Sequence, residues 1–120
     1  MRTIFVFGSN LAGIHGAGAA YDALKQYGAV YGQGVGLQGD SYAIPTKDGQ
    51  IRTLPLHRIR PFVREFIRFA HKNPLWTFNV TAIGCGLAGY TPADIAPMFA
   101  GVPGNCILPA EFIAVLRPVA

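Results

Sequence analysis

Ile4-Phe5-Val6-Phe7-Gly8-Ser9-Asn10, running on through His15-Gly16-Ala17-Gly18-Ala19, reads as an apolar strand that breaks into a glycine-rich turn and then a helix. An all-apolar strand of this kind is expected to be buried on both faces, as in a parallel sheet. The pattern recurs about seventy positions later. Thr77-Phe78-Asn79-Val80-Thr81-Ala82-Ile83 predicts a second buried strand, closed by Gly84-Cys85-Gly86-Leu87-Ala88-Gly89-Tyr90. Glycine in such turns lets backbone approach a ligand closely and leaves its N–H groups free to face an anion. Two such turns at one sheet edge would form a phosphate cradle. Each taken alone is also compatible with a tight turn that holds nothing.

Working outward, the helical spacing of Ala19, Ala20, Ala23, Leu24 and Tyr27 predicts a helix over 17–27 that Gly28 stops. A short strand is expected at 29–31, a flexible glycine-rich excursion at 32–39 and a further strand at 41–45. The surest helix starts at Leu56 or Arg58 and runs to Asn73, with Pro61 placed in its first turn. Thr91-Pro92-Ala93-Asp94 reads as the N-cap and first turn of a helix ending by Gly101. A strand at 105–108 and a helix at 109–116 complete the chain. Strands alternating with helices argue for an α/β layered fold around a largely parallel sheet. Ligands in such sheets sit beyond the carboxyl ends of the strands, where both glycine turns fall.

The chain has 120 residues, 51% of them hydrophobic and 13% charged, with a net charge of +4. That composition fits one domain, 1–120, with a substantial core. No uncharged apolar run approaches the roughly 20 residues of a membrane-spanning helix, so no membrane partner is expected. Met1-Arg2-Thr3 is expected to enter a strand at once, so no signal peptide is expected. Two cysteines without CxxC spacing do not make a disulfide framework, and the expectation is a reducing, cytoplasmic compartment. No His/Cys/Asp/Glu spacing suggests a metal, and no cofactor is expected.

Gly34-Val35-Gly36-Leu37-Gln38-Gly39 matches G-x-G-x-x-G but leads into a strand, so it is not a dinucleotide fingerprint; it could still fold over a ligand as a lid. Gly84 to Gly89 matches in the right context, yet neither turn is followed by the acidic residue about 20 positions on that would hold a ribose. Asn10 can offer a donor and an acceptor to a ribose hydroxyl, or can cap its own turn. His15 could donate to a phosphate or act as a base, or be incidental to the loop. Cys85 more readily packs beneath its loop than acts as a nucleophile, lacking a clear histidine and acidic partner. Lys47, at the end of Tyr42-Ala43-Ile44-Pro45-Thr46-Lys47-Asp48, could hold phosphate or attack a sugar C1 carbon, or remain a solvated lysine. Arg60, Arg64, Arg68 and Lys72 form a basic ridge opposite the apolar stripe of the long helix. Such a ridge can follow a nucleic-acid backbone, although no aromatic side chain is expected on that face.

These strings resemble the macro domain superfamily of ADP-ribose-binding modules. Asn10 falls where the second asparagine of that family's N-A-A-N motif stands. Gly8, Ser9 and the run His15-Gly16-Ala17-Gly18-Ala19 correspond to its ribose-lining segment, and Gly84 to Tyr90 to its diphosphate loop. The G-A-G, I-T-K-like and I-G-C-G-L strings look most like the terminal ADP-ribose glycohydrolase branch. Phe7-Gly8-Ser9-Asn10-Leu11, Tyr31-Gly32-Gln33-Gly34 and Ile83-Gly84-Cys85-Gly86-Leu87-Ala88-Gly89 also resemble, over nearly the full length, a small macro-like family of phage and bacterial genomes. The resemblance implies a three-layer fold with a mixed, largely parallel sheet. It also implies a pocket for ADP-ribose or a related nucleotide, with Thr46 and Lys47 at its edge. Hydrolase activity would follow from Lys47 as the residue that forms a covalent adduct in that branch, with Asn10 beside it. The branch's resolving aspartate, however, is replaced by Ala88, and its adenine-contacting G-D-[IL] aspartate has no counterpart. Two other readings remain open: a nucleic-acid-binding accessory protein using helix 59–72, and a sponge that holds a signalling nucleotide without chemistry.

Overall fold

A computed structural model describes residues 2–117; Met1 and 118–120, which the single-domain expectation includes, lie outside them. The order of elements is β1 (Thr3–Asn10), α1 (Gly18–Gln26), β2 (Gly36–Gln38), β3 (Ser41–Lys47), α2 (Leu56–Lys72) and β4 (Thr77–Val80). There follow α3 (Pro92–Ile95) with a 3-10 turn (Ala96–Phe99), β5 (Cys106–Ile107) and α4 (Ala110–Leu116). The strands form one mixed sheet in the order β2-β3-β1-β4-β5, parallel except for the β2–β3 pair.

β1 is central, and its alternating side chains supply both faces. Ile4 and Val6 join Tyr42, Ile44 and Phe78 beneath Ile59, Val63, Phe66 and Ala70 of α2. Phe5 and Phe7 point the other way, to Ala43 and to Ala19, Ala20 and Ala23 of α1. The larger core is aromatic: the Phe66 ring lies edge-on to Tyr42 (5.2 Å) and Phe78 (5.5 Å), and Phe99 extends the cluster to Phe112 (5.6 Å).

Several elements differ from the sequence reading, each for a local reason. No strand forms at 29–31, because the Ala29 N–H bonds the Ala23 carbonyl and the Val30 N–H bonds the Gln38 side chain, leaving no ladder donors. The 32–39 segment is not a flexible excursion or a lid: it contains β2, and Gly34 is pressed so closely on the Asn10 carbonyl that a Cβ would overlap it. α2 starts at Leu56 behind Pro55, so Pro61 sits in the second turn, where it withholds a donor from the ladder. The 91–101 helix divides at Ala96 because Pro97 cannot continue the α-helical bonds. Its start is as expected: the Asp94 carboxylate accepts from the Thr91 N–H (3.0 Å) and hydroxyl (2.9 Å). β4 ends at Val80 rather than Ile83: the Thr81 N–H closes the last ladder bond to the Val6 carbonyl (3.0 Å), its hydroxyl adds to the same carbonyl (2.8 Å), and the Ile83 N–H then turns back to the Thr81 carbonyl (2.7 Å).

Removing the ring at the centre of the aromatic cluster leaves a void its neighbours cannot fill. Phe66→Ala is expected to lower unfolding free energy by about 3–5 kcal/mol, and Phe66→Leu by clearly less, in urea denaturation.

Candidate functional site

The early end of β4 makes the site. β1 pairs with β4 only as far as Val6 opposite Val80, while its pairing with β3 continues to Asn10. Beyond Val6 the sheet therefore splits along one edge of β1, at the carboxyl ends of the strands. A cavity of about 590 Å³ occupies the split, a volume ordinary for small-ligand sites. Gly8, Ser9 and Asn10 of β1 line it, as do Gly16, Ala17, Gly18 and Ala19 at the start of α1. Thr46 and Lys47 border it from β3, and Gly84, Cys85, Gly86, Leu87 and Ala88 from the second turn. The two glycine turns meet here. The Gly84 nitrogen lies 3.7 Å from where a Cβ on Gly8 would stand, and the Leu87 side chain 4.0 Å from that of Gly18.

Several lining residues keep backbone N–H groups without a backbone partner. α1 begins after Ala17, which has no side-chain acceptor to cap it. Its first-turn N–H groups on Gly18, Ala19 and Ala20 have no partner one turn back. In the second turn the Cys85, Gly89 and Tyr90 N–H groups close on Ala82, Gly86 and Gly84. Those of Gly84, Gly86, Leu87 and Ala88 find no backbone partner among the described residues. Among the described residues Lys47 is the one Lys or Arg side chain at the lining. Donors at a helix start, a second nest of N–H groups and an ammonium together suit an anion with several oxygens.

The side chains are more committed than their sequence context suggests. Asn10 is buried and spends its amide on its own loop: Nδ2 donates to the Ile14 carbonyl (2.8 Å) and Oδ1 accepts the Ile14 N–H (3.0 Å). It shapes the turn, and only its remaining N–H and lone pair are left for a ligand. The Ser9 hydroxyl donates to the Gly34 carbonyl, and that of Thr46 to the Ser9 carbonyl (3.4 Å).

His15 is displaced from its expected role as phosphate donor or base. It is 1% exposed, outside the cavity lining, and edge-on to Phe7. Its Nε2 faces the Gln33 carbonyl (3.0 Å) and Gln38 Oε1 (3.2 Å). The Val30 N–H also points at that Oε1 (2.8 Å), which fixes the amide orientation. Both histidine partners are therefore acceptors, Nε2 carries the proton, and Nδ1 has no partner. Two other expected contacts are also corrected. The Tyr90 hydroxyl donates to the Leu54 carbonyl (2.6 Å), and Gly89 closes its own turn, so neither borders the cavity.

Among the described residues no carboxylate lines the cavity. Asp48 is held in its turn by the Arg52 and Gln50 N–H groups (2.9 and 2.8 Å) and the Arg52 side chain (3.1 Å), the backbone bond from Arg52 doing most to keep its pKa below the usual range. Asp94 is occupied at the start of α3. Burial foremost, then the charges of Glu111 and Asp94, push the Cys85 thiol pKa upward, the opposite of an activated nucleophile. No group of three or more potential metal ligands occurs among the described residues.

The sequence reading missed part of the wall. Ile14, Ala20, Thr81, Ala82 and Ile83 line the cavity, the last three because the strand expected to contain them stops short. Ile51 lines it too, brought there by the 48–52 turn, with a left-handed φ of +62° that a β-branched side chain rarely adopts. Periodicity carries no signal for such a position.

Ile51→Asn, which suits that backbone better, should raise unfolding free energy by about 1 kcal/mol while weakening any ligand held by the apolar wall. Iodoacetamide mapping by mass spectrometry should find Cys85 labelled more slowly than a free thiol at neutral pH. Because its pKa is raised, the rate should climb only at a pH above that of an ordinary thiol. Comparison with family models, curated proteins and solved structures gives no match to this chain.

Proposed function

We propose that the chain is a three-layer, macro-like module that binds ADP-ribose or a related nucleotide. The observation that carries this reading is the meeting of the two glycine turns over one cavity, where Gly84, Gly86, Leu87 and Ala88 keep N–H groups without a backbone partner among the described residues. A diphosphate would lie between the start of α1 and the Gly84–Ala88 turn, with Lys47 neutralising part of its charge. The ribose would lie near Asn10, whose loop-shaping bonds leave one donor and one acceptor site, and the apolar wall of Ile14, Ile51 and Leu87 would pack against the uncharged parts.

Holding the nucleotide is favoured over hydrolysing an ADP-ribosyl linkage. Attack of Lys47 on the ribose C1 would leave an adduct that needs a carboxylate to resolve it. Ala88 stands where the resembling branch has that group, and Asp48 and Asp94 are tied elsewhere. Losing one positioned acid–base group typically slows a reaction by about 10² to 10⁴.

Calorimetric titration with ADP-ribose tests the reading. Heat that saturates is expected, with adenosine, which lacks the diphosphate, binding far more weakly. Lys47→Ala should weaken ADP-ribose by about 10- to 100-fold, the scale of one charge-assisted hydrogen bond. No heat at millimolar ligand would overturn the assignment. Release of ADP-ribose from a modified substrate at an enzymatic rate would overturn the preference for binding alone.

A further inference from the structure

A second surface, on the outer face of α2, has a chemistry the cavity does not use. The buried side of this helix is entirely apolar, with Ile59, Val63, Phe66 and Ala70 all 0% exposed. Its other side carries Arg58, Arg60, Arg64, Arg68 and Lys72, all exposed, against one acid, Glu65. Among the described residues the ion pairs are Arg2–Asp40 and Arg52–Asp48, so none of the five cations on α2 is in one. Arg60, Arg64, Arg68 and Lys72 recur every four residues, about 6 Å apart along the axis and about 18 Å end to end.

At the far end of this row the helix and β3 enclose a groove of about 240 Å³, lined by Tyr42, Glu65, Arg68, Phe69 and Lys72. Phe69 lies at the margin of the core, as the sequence reading expects, packs 5.3 Å from Tyr42, and both border the groove. Tyr42 is 6% exposed. Burial first, and the charge of Glu65 second, push its pKa up to about 12, so the hydroxyl remains a donor across the physiological range.

We propose that the outer face of α2 binds a nucleic-acid strand through its phosphates, with one phosphate held between Arg68 and Lys72 over the Tyr42 hydroxyl. Evenly spaced guanidinium groups without internal partners suit a regular polyanion, to which they can donate in forked pairs. Glu65 repels an anion from one side of the groove and so confines the phosphate to the Arg68–Lys72 side. Phe69 offers a flat apolar surface for a neighbouring base. An anionic membrane fits less well. A surface-lying helix inserts an apolar face beside its basic one, and the apolar face of α2 is consumed by the core.

The test is fluorescence anisotropy with a labelled single-stranded oligonucleotide of about 20 nucleotides, over about 50 to 200 mM salt. Four phosphate contacts predict a slope of log K against log salt near −3 for a single strand. The double variant Arg64→Gln/Arg68→Gln should bind at least about 10-fold more weakly and flatten the slope by about 1.4. Tyr42→Phe should weaken binding several-fold with the slope unchanged, because it removes a hydrogen bond and no charge. Both variants should keep their unfolding midpoint and their ADP-ribose titration, and excess ADP-ribose should not displace the strand. Oligonucleotide binding that survives the double variant intact, or that ADP-ribose competes away, would overturn the proposal. So would capture by phosphatidylserine vesicles without any oligonucleotide binding.

Discussion

The Val6 carbonyl is the point on which the architecture turns. In an uninterrupted parallel sheet it would accept a single ladder bond and β4 would continue alongside β1. Here it receives two donors from Thr81, one backbone and one hydroxyl, and the chain leaves the sheet at that residue. The opening that results cannot close by hydrophobic collapse, because the strand bordering it has run into Gly8-Ser9-Asn10 and has no bulky side chain to offer. Both faces of β1 are meanwhile anchored, by α1 on one side and α2 on the other, so the split has rigid walls.

That rigidity reaches the loops. Ser9, Asn10, His15, Gln33 and Gln38 form a buried polar net that ties the segment after β1 to the segment before β3. Apart from His15 Nδ1, which has no partner, its buried polar side chains are hydrogen-bonded, and a polar net of this kind specifies one arrangement more sharply than apolar packing would. At the other end of the sheet Arg2 adds a clamp, its guanidinium 4.4 Å over the Trp76 ring and paired with Asp40. The cavity is thus walled by backbone whose course the fold sets.

What the sequence disclosed follows the physics of each signal. The strand–turn–helix order, the apolar stripe of α2 and the two glycine turns were legible because periodicity and glycine content report local backbone directly. The Thr91/Asp94 start of α3 was legible for the same reason. The extents of β4 and of the 91–101 helix were not, because Thr81 and Pro97 act through specific hydrogen bonds, gained or lost, that a hydropathy pattern does not weigh. His15 was misread for a deeper reason. A histidine in a glycine-rich loop looks solvent-facing, and only the later arrival of Gln33 and Gln38 draws it inside. Ile51 left no trace, since its backbone conformation runs against its residue type. For the pocket as a whole, the turns were evident and the side-chain commitments were not.

The uncapped start of α1 carries a consequence for how such a chain can change. A serine or aspartate at position 17 would satisfy the helix from within and add about 1 kcal/mol to the fold. It would also put an oxygen, or a full negative charge, where the proposed reading seats the diphosphate. Selection for robustness and selection for occupancy therefore pull this single alanine in opposite directions. A thermal melt of such a substitution, run beside a nucleotide titration, would register both. In the unsubstituted chain the start of α1 is left without a side-chain cap, and under the proposed reading a bound anion would supply what the alanine does not.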